Sequence, residues 1–253
     1  MSKRRSGIAL KLSTLALFTT PAITLAAEPS SPYMPSLEVG LIGSYTNLEF
    51  EGGRTDRTTH VPEGGVYLAL GNKLRATSGF IYQAQVNARY ASSSDEQIKD
   101  SLADLDLGWR MALDARNAVD IIVGAGYRWN RFEPHIDGYN IKLTSRSPQA
   151  KLGLGYSHRF ANTTVRIEAG VRRNVNGESQ LKISRVGNET VDLKERNNPY
   201  VELGFLFNRD GNWPVTASMY YTEVKYDLDG RFLISEFDQQ TRKEAGFKVG
   251  MVF

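Results

Sequence analysis

The chain has 253 residues, of which 23% are charged and 41% hydrophobic, and it contains no cysteine. The absence of cysteine excludes a disulfide scaffold, a thiolate-ligated metal and a thiol nucleophile. The formal charge of +3 would suit a polyanionic partner, but Lys3, Arg4, Arg5 and Lys11 lie in the first 26 residues, which carry no acid. Without that segment the net charge is −1, so we predict no nucleic-acid partner.

Residues 1–26 have the pattern of a secretory signal peptide. A cationic stretch ending at Lys11 precedes a mostly apolar run at 12–24, and the small residues Thr24 and Ala26 stand at positions −3 and −1 of a cleavage site. The apolar run is shorter than the roughly 20 residues of a membrane-spanning helix, which favours a cleaved leader over an anchor. Residues 27–35 are then a polar N-terminal segment, and 36–253 form one domain.

From Ser36 onward, apolar and polar residues alternate with a period of two, which is typical of β-strands with two different faces. In the last segment Phe247 and Val249 fall on one face, while Glu244 and Lys248 fall on the other. Each predicted segment is long enough for the roughly 9–11 residues with which a tilted strand crosses a bilayer. The ten segments lie near 36–50, 62–74, 79–92, 99–114, 118–132, 145–160, 163–176, 197–208, 213–228 and 240–253.

The connections between these segments alternate in length. Short ones with turn residues lie at 73–79, 113–118, 159–163 and 208–213, and longer polar ones lie near 51–61, 93–98, 133–144, 177–196 and 229–239. This rhythm predicts an up-and-down antiparallel barrel of about ten strands, with eight or twelve as alternatives and both termini at one end. The segment 174–198 alternates on both sides of 186–189, which predicts a projecting hairpin.

Alternation does not reveal which face is inside, and a soluble β-sandwich or lipocalin-like barrel is the alternative. Aromatic residues near the strand ends suit the interfacial girdles of a membrane barrel, and Phe253 ends the last strand on its apolar face. With the leader and the even strand count, this ending resembles Gram-negative outer-membrane β-barrel proteins. The resemblance implies an all-β transmembrane barrel in the cell outer membrane, with 27–35 in the periplasm. It also implies outer-membrane lipids and lipopolysaccharide as partners, and a Phe253 strand that the barrel-assembly machinery reads. We expect a monomer.

If the apolar face meets lipid, the polar face fills a narrow lumen that holds seven cations and seven acids. Buried charges in a barrel of this width must pair, and a selective pore would show an excess of one sign. We therefore predict a lumen plugged by ion pairs, with a narrow channel for small solutes or oligosaccharides as the alternative. The charged residues are Glu38, Arg89, Asp104, Asp106, Arg110, Asp120, Arg128, Lys151, Arg166, Glu168, Arg172, Glu202, Glu244 and Lys248.

The barrel size and its long outer hairpins also resemble the omptin proteases. That resemblance would require paired aspartates on one outer wall and an aspartate–histidine pair on the opposite one. Asp104 and Asp106 have the spacing of a pair that points into the lumen, but the segment near 176–198 holds no Asp-x-His. The omptin site is therefore incomplete in this sequence.

Two further arrangements of residues are candidates for a chemical site. Ser157 and His158 point to opposite sides of a strand, so they do not form the Ser–His arrangement of outer-membrane lipases and deacylases. Asp227 and Asp229 offer oxygen ligands suited to calcium, but the loop does not complete an EF-hand. We predict a non-enzymatic barrel without metal or cofactor, whose extracellular hairpins serve surface interaction or a structural role.

Overall fold

A computed structural model describes residues 34–51, 57–92, 96–136, 139–230 and 239–253. In this part of the chain no helix is long and apolar enough to span a membrane. The predicted signal peptide and most of the segment 27–35 lie outside the described residues, so both stay predictions. The strands are β1 (Ser36–Glu51), β2 (Arg57–Gly71), β3 (Gly79–Ser92), β4 (Glu96–Ala112), β5 (Asn117–Ile136), β6 (Tyr139–Arg159), β7 (Thr163–Asn174), β8 (Gly177–Ile183), β9 (Gly187–Leu193), β10 (Asn197–Phe207), β11 (Val215–Asp227) and β12 (Gln239–Val252).

Ten strands close into an antiparallel barrel. Neighbours follow chain order from β1 to β7, β7 then pairs with β10, and β11 and β12 follow. The barrel closes between β1 and β12, where Glu38 lies opposite Val252, and Leu37 and Phe253 exchange backbone hydrogen bonds. This confirms the predicted all-β, ten-strand, up-and-down barrel. We call the end where β1 begins, β12 ends and the four short turns lie the turn end, and the opposite end the loop end.

The remaining strands, β8 and β9, form a hairpin at the loop end. β8 continues the path of β7 along β6, with Leu143 of β6 opposite Leu181 of β8, and β9 returns alongside β8. The path breaks between β7 and β8, where Asn176 has a φ of 49°, a left-handed conformation that asparagine tolerates better than most residues. The hairpin predicted within 174–198 is confirmed.

Several strands are longer than predicted. β5 has 20 residues and β6 has 21, and their pairing continues to Ile136 opposite Tyr139. The connections predicted near 93–98 and 133–144 are shorter than expected, because their described residues 96–98, 133–136 and 139–144 are strand, and the second segment forms a hairpin. In the described strand residues of these segments, apolar and polar residues still alternate, but the apolar side chains point inward and the polar ones outward. The outward polar side chains give these segments the composition of loops.

An apolar belt surrounds the barrel towards the turn end. On β1, Leu41 is 63% exposed while its neighbour Ile42, which points inward, is 5% exposed. Tyrosines such as Tyr45, Tyr90 and Tyr127 stand on the outer face at the loop-end edge of the belt. A continuous exposed belt of this kind is not stable in water, and it matches the lipid-facing band with aromatic girdles of membrane barrels.

Beyond the belt, towards the loop end, the two faces exchange character. On β1, Leu48 and Phe50 point inward and are buried, while Glu49 lies on the outer face. Each large apolar side chain buried in this way contributes about 1.5–3 kcal/mol relative to exposure. We call the resulting group the loop-end core: Leu48, Phe50, Val61, Ala91, Ile98, Phe132, Leu143, Leu181, Leu193, Val224, Tyr226 and Leu228.

Candidate functional site: the charged barrel interior

The charged side chains that the sequence placed in the lumen all lie on the interior face, either along the internal cavity or, for Asp120, in ion pairs with interior arginines. They are joined by two further cations, Lys73 and Arg242, and two further acids, Glu63 and Asp100. The two signs therefore remain balanced in the interior. Most of these charges belong to two groups, one next to the loop-end core and one next to the turn end.

The first group, the arginine layer, consists of Arg89, Arg128, Arg242, Glu63, Asp100 and Glu244. Arg242 donates from Nη2 to both carboxylate oxygens of Glu63, at 2.7 and 2.8 Å, and from Nε to Glu244 at 3.1 Å. Arg128 donates to Asp100 at 3.0 Å and to Glu244 at 2.9 Å. Every acid of the layer thus has at least one arginine within hydrogen-bond distance.

Arg89 completes the layer by pairing with Asp100 and Glu244 and by donating to the hydroxyl of Tyr220 at 3.0 Å. The six side chains of the layer are between 0% and 4% exposed. Ions buried to this extent lose their hydration, and only close partners of opposite sign offset that loss. Three arginines with three acids satisfy this condition, so the layer can remain ionised without water.

The second group, the lysine layer, consists of Lys73, Lys151, Asp106 and Glu168. Lys73 lies 2.7 Å from both Asp106 and Glu168. Lys151 lies 2.8 Å from Asp106 and 3.0 Å from Glu168. Each lysine therefore bridges the same two acids, which ties β4, β6 and β7 to the turn that carries Lys73.

The turn at 72–78 folds into the barrel rather than away from it. Ala76 is fully buried, and together with Ile81 and Ile122 it forms a small apolar cluster. Arg110, which is held by Asp120 at 2.7 and 2.8 Å, donates to the carbonyl oxygen of Ala76 at 2.5 Å. The turn end of the lumen is therefore occupied by this turn and its partners.

Glycines on the interior face make room for the long charged side chains. A Cβ at Gly155 would collide with the guanidinium of Arg166, and one at Gly153 would collide with the hydroxyl of Tyr200. That hydroxyl donates to Glu168 at 3.0 Å. At both positions a larger residue would therefore displace a side chain of the charged interior.

A cavity of about 130 Å³ remains among these side chains, bounded by residues of both layers. Glu202 lines it and is 36% exposed, and it pairs with Lys248 at 2.6 Å. Arg172 lies over the ring of Tyr200, 4.4 Å from its centroid, and pairs with Asp104 at 3.1 Å. The interior is thus densely filled next to both ends and looser in between.

The residues weighed as catalytic candidates do not form a recognisable active site. Asp104 and Asp106 are each engaged by cations. His60 stacks on Tyr45, with ring centroids 5.9 Å apart, on the outer face. His158 lies at the turn end, with Nδ1 2.7 Å from the side-chain oxygen of Asn117. His60 and His158 therefore each contact other residues and pair with neither Asp104 nor Asp106.

Of the two acids considered for calcium, Asp227 is engaged by a cation and Asp229 is held through its backbone amide. Asp227 pairs with Arg196, and the amide nitrogen of Asp229 donates to the backbone oxygen of Asp192 at 2.7 Å. Across the described ranges, no three or more acid, histidine or cysteine side chains are grouped so that they could hold a metal ion.

Neither a protein-family model nor a curated protein matches this sequence. Solved structures do match. The outer membrane protease OmpT from Escherichia coli is 11% identical with a TM-score of 0.55, over 88% of this chain and 96% of that chain. The translocator domain of the autotransporter NalP from Neisseria meningitidis is 12% identical with a TM-score of 0.44, over 87% of this chain and 88% of that chain. The fold is that of an outer-membrane β-barrel.

The toluene transporter TodX from P. putida gives a weaker match, 8% identical with a TM-score of 0.37 over 88% of this chain and 90% of that chain. At 11% identity, the match to OmpT shows the fold and does not by itself imply an activity. The resemblance to Gram-negative outer-membrane barrels is confirmed for the fold. The prediction of a non-enzymatic protein stays a prediction.

Proposed function

We propose that this chain is a non-enzymatic barrel of the Gram-negative outer membrane, plugged by its own interior side chains. Its rigid loop end would serve a surface interaction or a structural role. The observation that carries the proposal is the arginine layer, a sign-balanced group at most 4% exposed that lies next to an apolar core. A conducting pore needs a continuous wetted path, and the low exposure of these ion pairs beside an apolar core supports a lumen without such a path.

The outer-membrane location is supported by the apolar belt and by the fold. The belt would contact lipid, and the cations on the outer face just beyond it, such as Arg131 and Arg146, would lie at the level of lipopolysaccharide phosphates. Phe253, 60% exposed at the end of the closing strand, is the residue through which the assembly machinery would read the chain. We propose a monomer, because the belt surrounds the barrel and the described surface offers no larger apolar face for a second copy.

The absence of enzymatic activity is supported by what fills the loop end. In a barrel protease built on carboxylates and a histidine, those groups must meet at an accessible surface. Here the interior of the loop end is occupied by Leu48, Phe50, Phe132 and other residues of the loop-end core. Glu63 and Asp100, the acids of the arginine layer beside this core, are paired with arginines.

A narrow channel is the second candidate, and the cavity beside Glu202 favours it. The carboxylate of Glu202, which is 36% exposed and lines a cavity of about 130 Å³, would be hydrated, as a pore-lining group is. For this candidate to hold, the water-filled region would have to connect both ends past the arginine layer and the inward turn at 72–78.

Single-channel recording in planar lipid bilayers tests the proposal. Purified, refolded protein should insert without steady unitary openings, and liposomes that contain it should not swell in solutions of small sugars. A porin inserted under the same conditions provides the positive control. Steady openings from most inserted molecules would overturn the plugged lumen and support the channel.

A further inference from the structure

Three turns converge at the turn end of the barrel and bring together arginines that the plugged lumen does not use. The backbone nitrogen of Arg209 donates to the carbonyl oxygen of Asn162 at 3.2 Å, which docks the 208–214 turn on the 160–162 turn. Its side chain reaches towards the carbonyl of Ala161, at 3.5 Å. Arg159, at the end of β6, donates to the carbonyl oxygen of Ala76 in the inward turn.

Arg159 shares that carbonyl oxygen with Arg110. Two guanidinium nitrogens bound to one oxygen lie within roughly 6 Å of each other, twice the length of a hydrogen bond. Arg110 is neutralised by Asp120, but no described carboxylate lies within ion-pair distance of Arg159. A cation is therefore held next to another cation, with only a neutral carbonyl oxygen as its hydrogen-bond acceptor.

Arg75, in the inward turn, adds a further uncompensated charge. Its Nε is buried and has no hydrogen-bond partner, and no described carboxylate is within ion-pair distance of it. Asp210 is the acid of the 208–214 turn, and its carboxylate receives two hydrogen bonds of 2.9 Å from Arg209. Those bonds lower the pKa of Asp210, and the charges of Arg159 and Arg75 act in the same direction.

The three converging turns thus carry the guanidinium groups of Arg75, Arg159 and Arg209, and of these only Arg209 is paired with a described carboxylate, Asp210, which is 65% exposed. Like charges held together repel each other unless an anion compensates them. Guanidinium groups present planar forks of donors that match the oxygens of phosphate, and several of them together favour a multiply charged oxyanion over chloride.

We propose that Arg75, Arg159 and Arg209 form a binding site for a phosphate group at the turn end of the barrel. The phosphate belongs either to a free oxyanion or to a lipid headgroup, and the two sources share the same chemistry. In the unoccupied site, Asp210 holds Arg209 and competes with the phosphate for it. This site lies outside the charged lumen and goes beyond the proposed function, which needs no ligand.

Titration calorimetry with inorganic phosphate tests the site, on protein purified in a non-ionic detergent at constant ionic strength set with chloride. Wild-type protein should bind phosphate, and Arg159→Gln should weaken binding roughly tenfold or more, the usual effect of losing a charge-assisted hydrogen bond. Asp210→Asn should strengthen binding, because the competing carboxylate is removed. Arg173→Gln, on the outer face and paired with Glu195, is the matched control and should bind as the wild type does.

A second arm distinguishes the two sources of phosphate. Protein extracted from vesicles of phosphatidylglycerol or of phosphatidylcholine is compared by native mass spectrometry for retained lipid. Phosphatidylglycerol retained by the wild type and lost in Arg159→Gln assigns a lipid headgroup, whereas binding of inorganic phosphate alone assigns a free oxyanion. If Arg159→Gln fails to fold, Asp210→Asn decides, since its residue is exposed. No binding of either probe, or binding that neither Arg159→Gln nor Asp210→Asn changes, would overturn the site.

Discussion

Replacing Arg242 with methionine tests whether the arginine layer is dry. Methionine has a similar length and no charge, so Arg242→Met removes the cation without leaving a large void. The wild-type side chain is fully buried and binds both oxygens of Glu63 at 2.7 and 2.8 Å, Glu244 at 3.1 Å and the hydroxyl of Thr46 at 3.3 Å. The variant would leave three acids with two arginines in a space that water does not reach.

The expected cost follows from what remains near Glu63. Its nearest other cation is Nε of Arg89, at 4.0 Å, and Arg89 already pairs with Asp100 and Glu244. Glu63 would become a buried carboxylate without a good partner, and breaking a buried pair in this way costs about 3–5 kcal/mol. In a wet lumen the same pair would be screened and would contribute about 0–1 kcal/mol.

The free energy of unfolding from lipid vesicles, followed by tryptophan fluorescence in a urea titration, measures the difference. Arg173→Gln is the control, because its ion pair with Glu195 is about half exposed and should contribute about 0–1 kcal/mol. The double variant Glu63→Gln/Arg242→Met should lose less than the sum of the single variants, since each single change leaves a partner unpaired. A loss from Arg242→Met no larger than that of the control would refute a dry layer.

Three further predictions test the orientation, the network and the topology. Leu203→Arg places a charge on the belt between Ile167 and Met219 and should cost about 2–4 kcal/mol in the same unfolding assay; a neutral result would mean that this face does not meet lipid. Arg166→Ala should cost only about 1–3 kcal/mol, because Asp120 and Glu168 each keep another cation, and a loss as large as that of Arg242→Met would contradict this redundancy. On intact cells, a membrane-impermeant thiol reagent should label Asn188→Cys in the loop-end hairpin and not Ala115→Cys in a turn, and the reverse pattern would invert the barrel.

The period-two pattern was sufficient to predict the barrel and the face of most interior residues. On β12, Lys248 and Glu244 were placed inward and Val249 outward, and the structure has them so. The same parity places Arg242 on the face of Glu244 and Lys248, and it places Asp100 in phase with Asp104 and Asp106, so the sequence also predicts these two residues inside.

Other features depend on tertiary structure and leave no local signal. Lys73 lies in a turn, and only the inward path of that turn brings its ammonium group to Asp106 and Glu168. The loop-end core includes the ends of predicted strands, such as Leu48 and Phe132, and parts of predicted connections, such as Ile98, and alternation alone does not show that its polarity reverses there. An acid alternates with an apolar residue both at 37–38 and at 49–50. At the first position the acid, Glu38, points inward, whereas at the second the apolar residue, Phe50, points inward. The sequence pattern is the same, and only the environment outside the barrel differs.

The reversal of polarity along each strand also explains how a charged lumen can stay dry. Within the belt, the outer face of each strand is apolar. The polar side chains therefore point into the interior, where they must pair. Beyond the belt, the outer face meets water in the proposed orientation, and the interior becomes apolar as in a soluble barrel. The loop-end core thus covers the arginine layer on the side from which water would otherwise enter, and the inward turn at 72–78 fills the opposite end. The proposed plug would therefore follow from the same two-residue alternation that makes the barrel, with a change of solvent part-way along the strands.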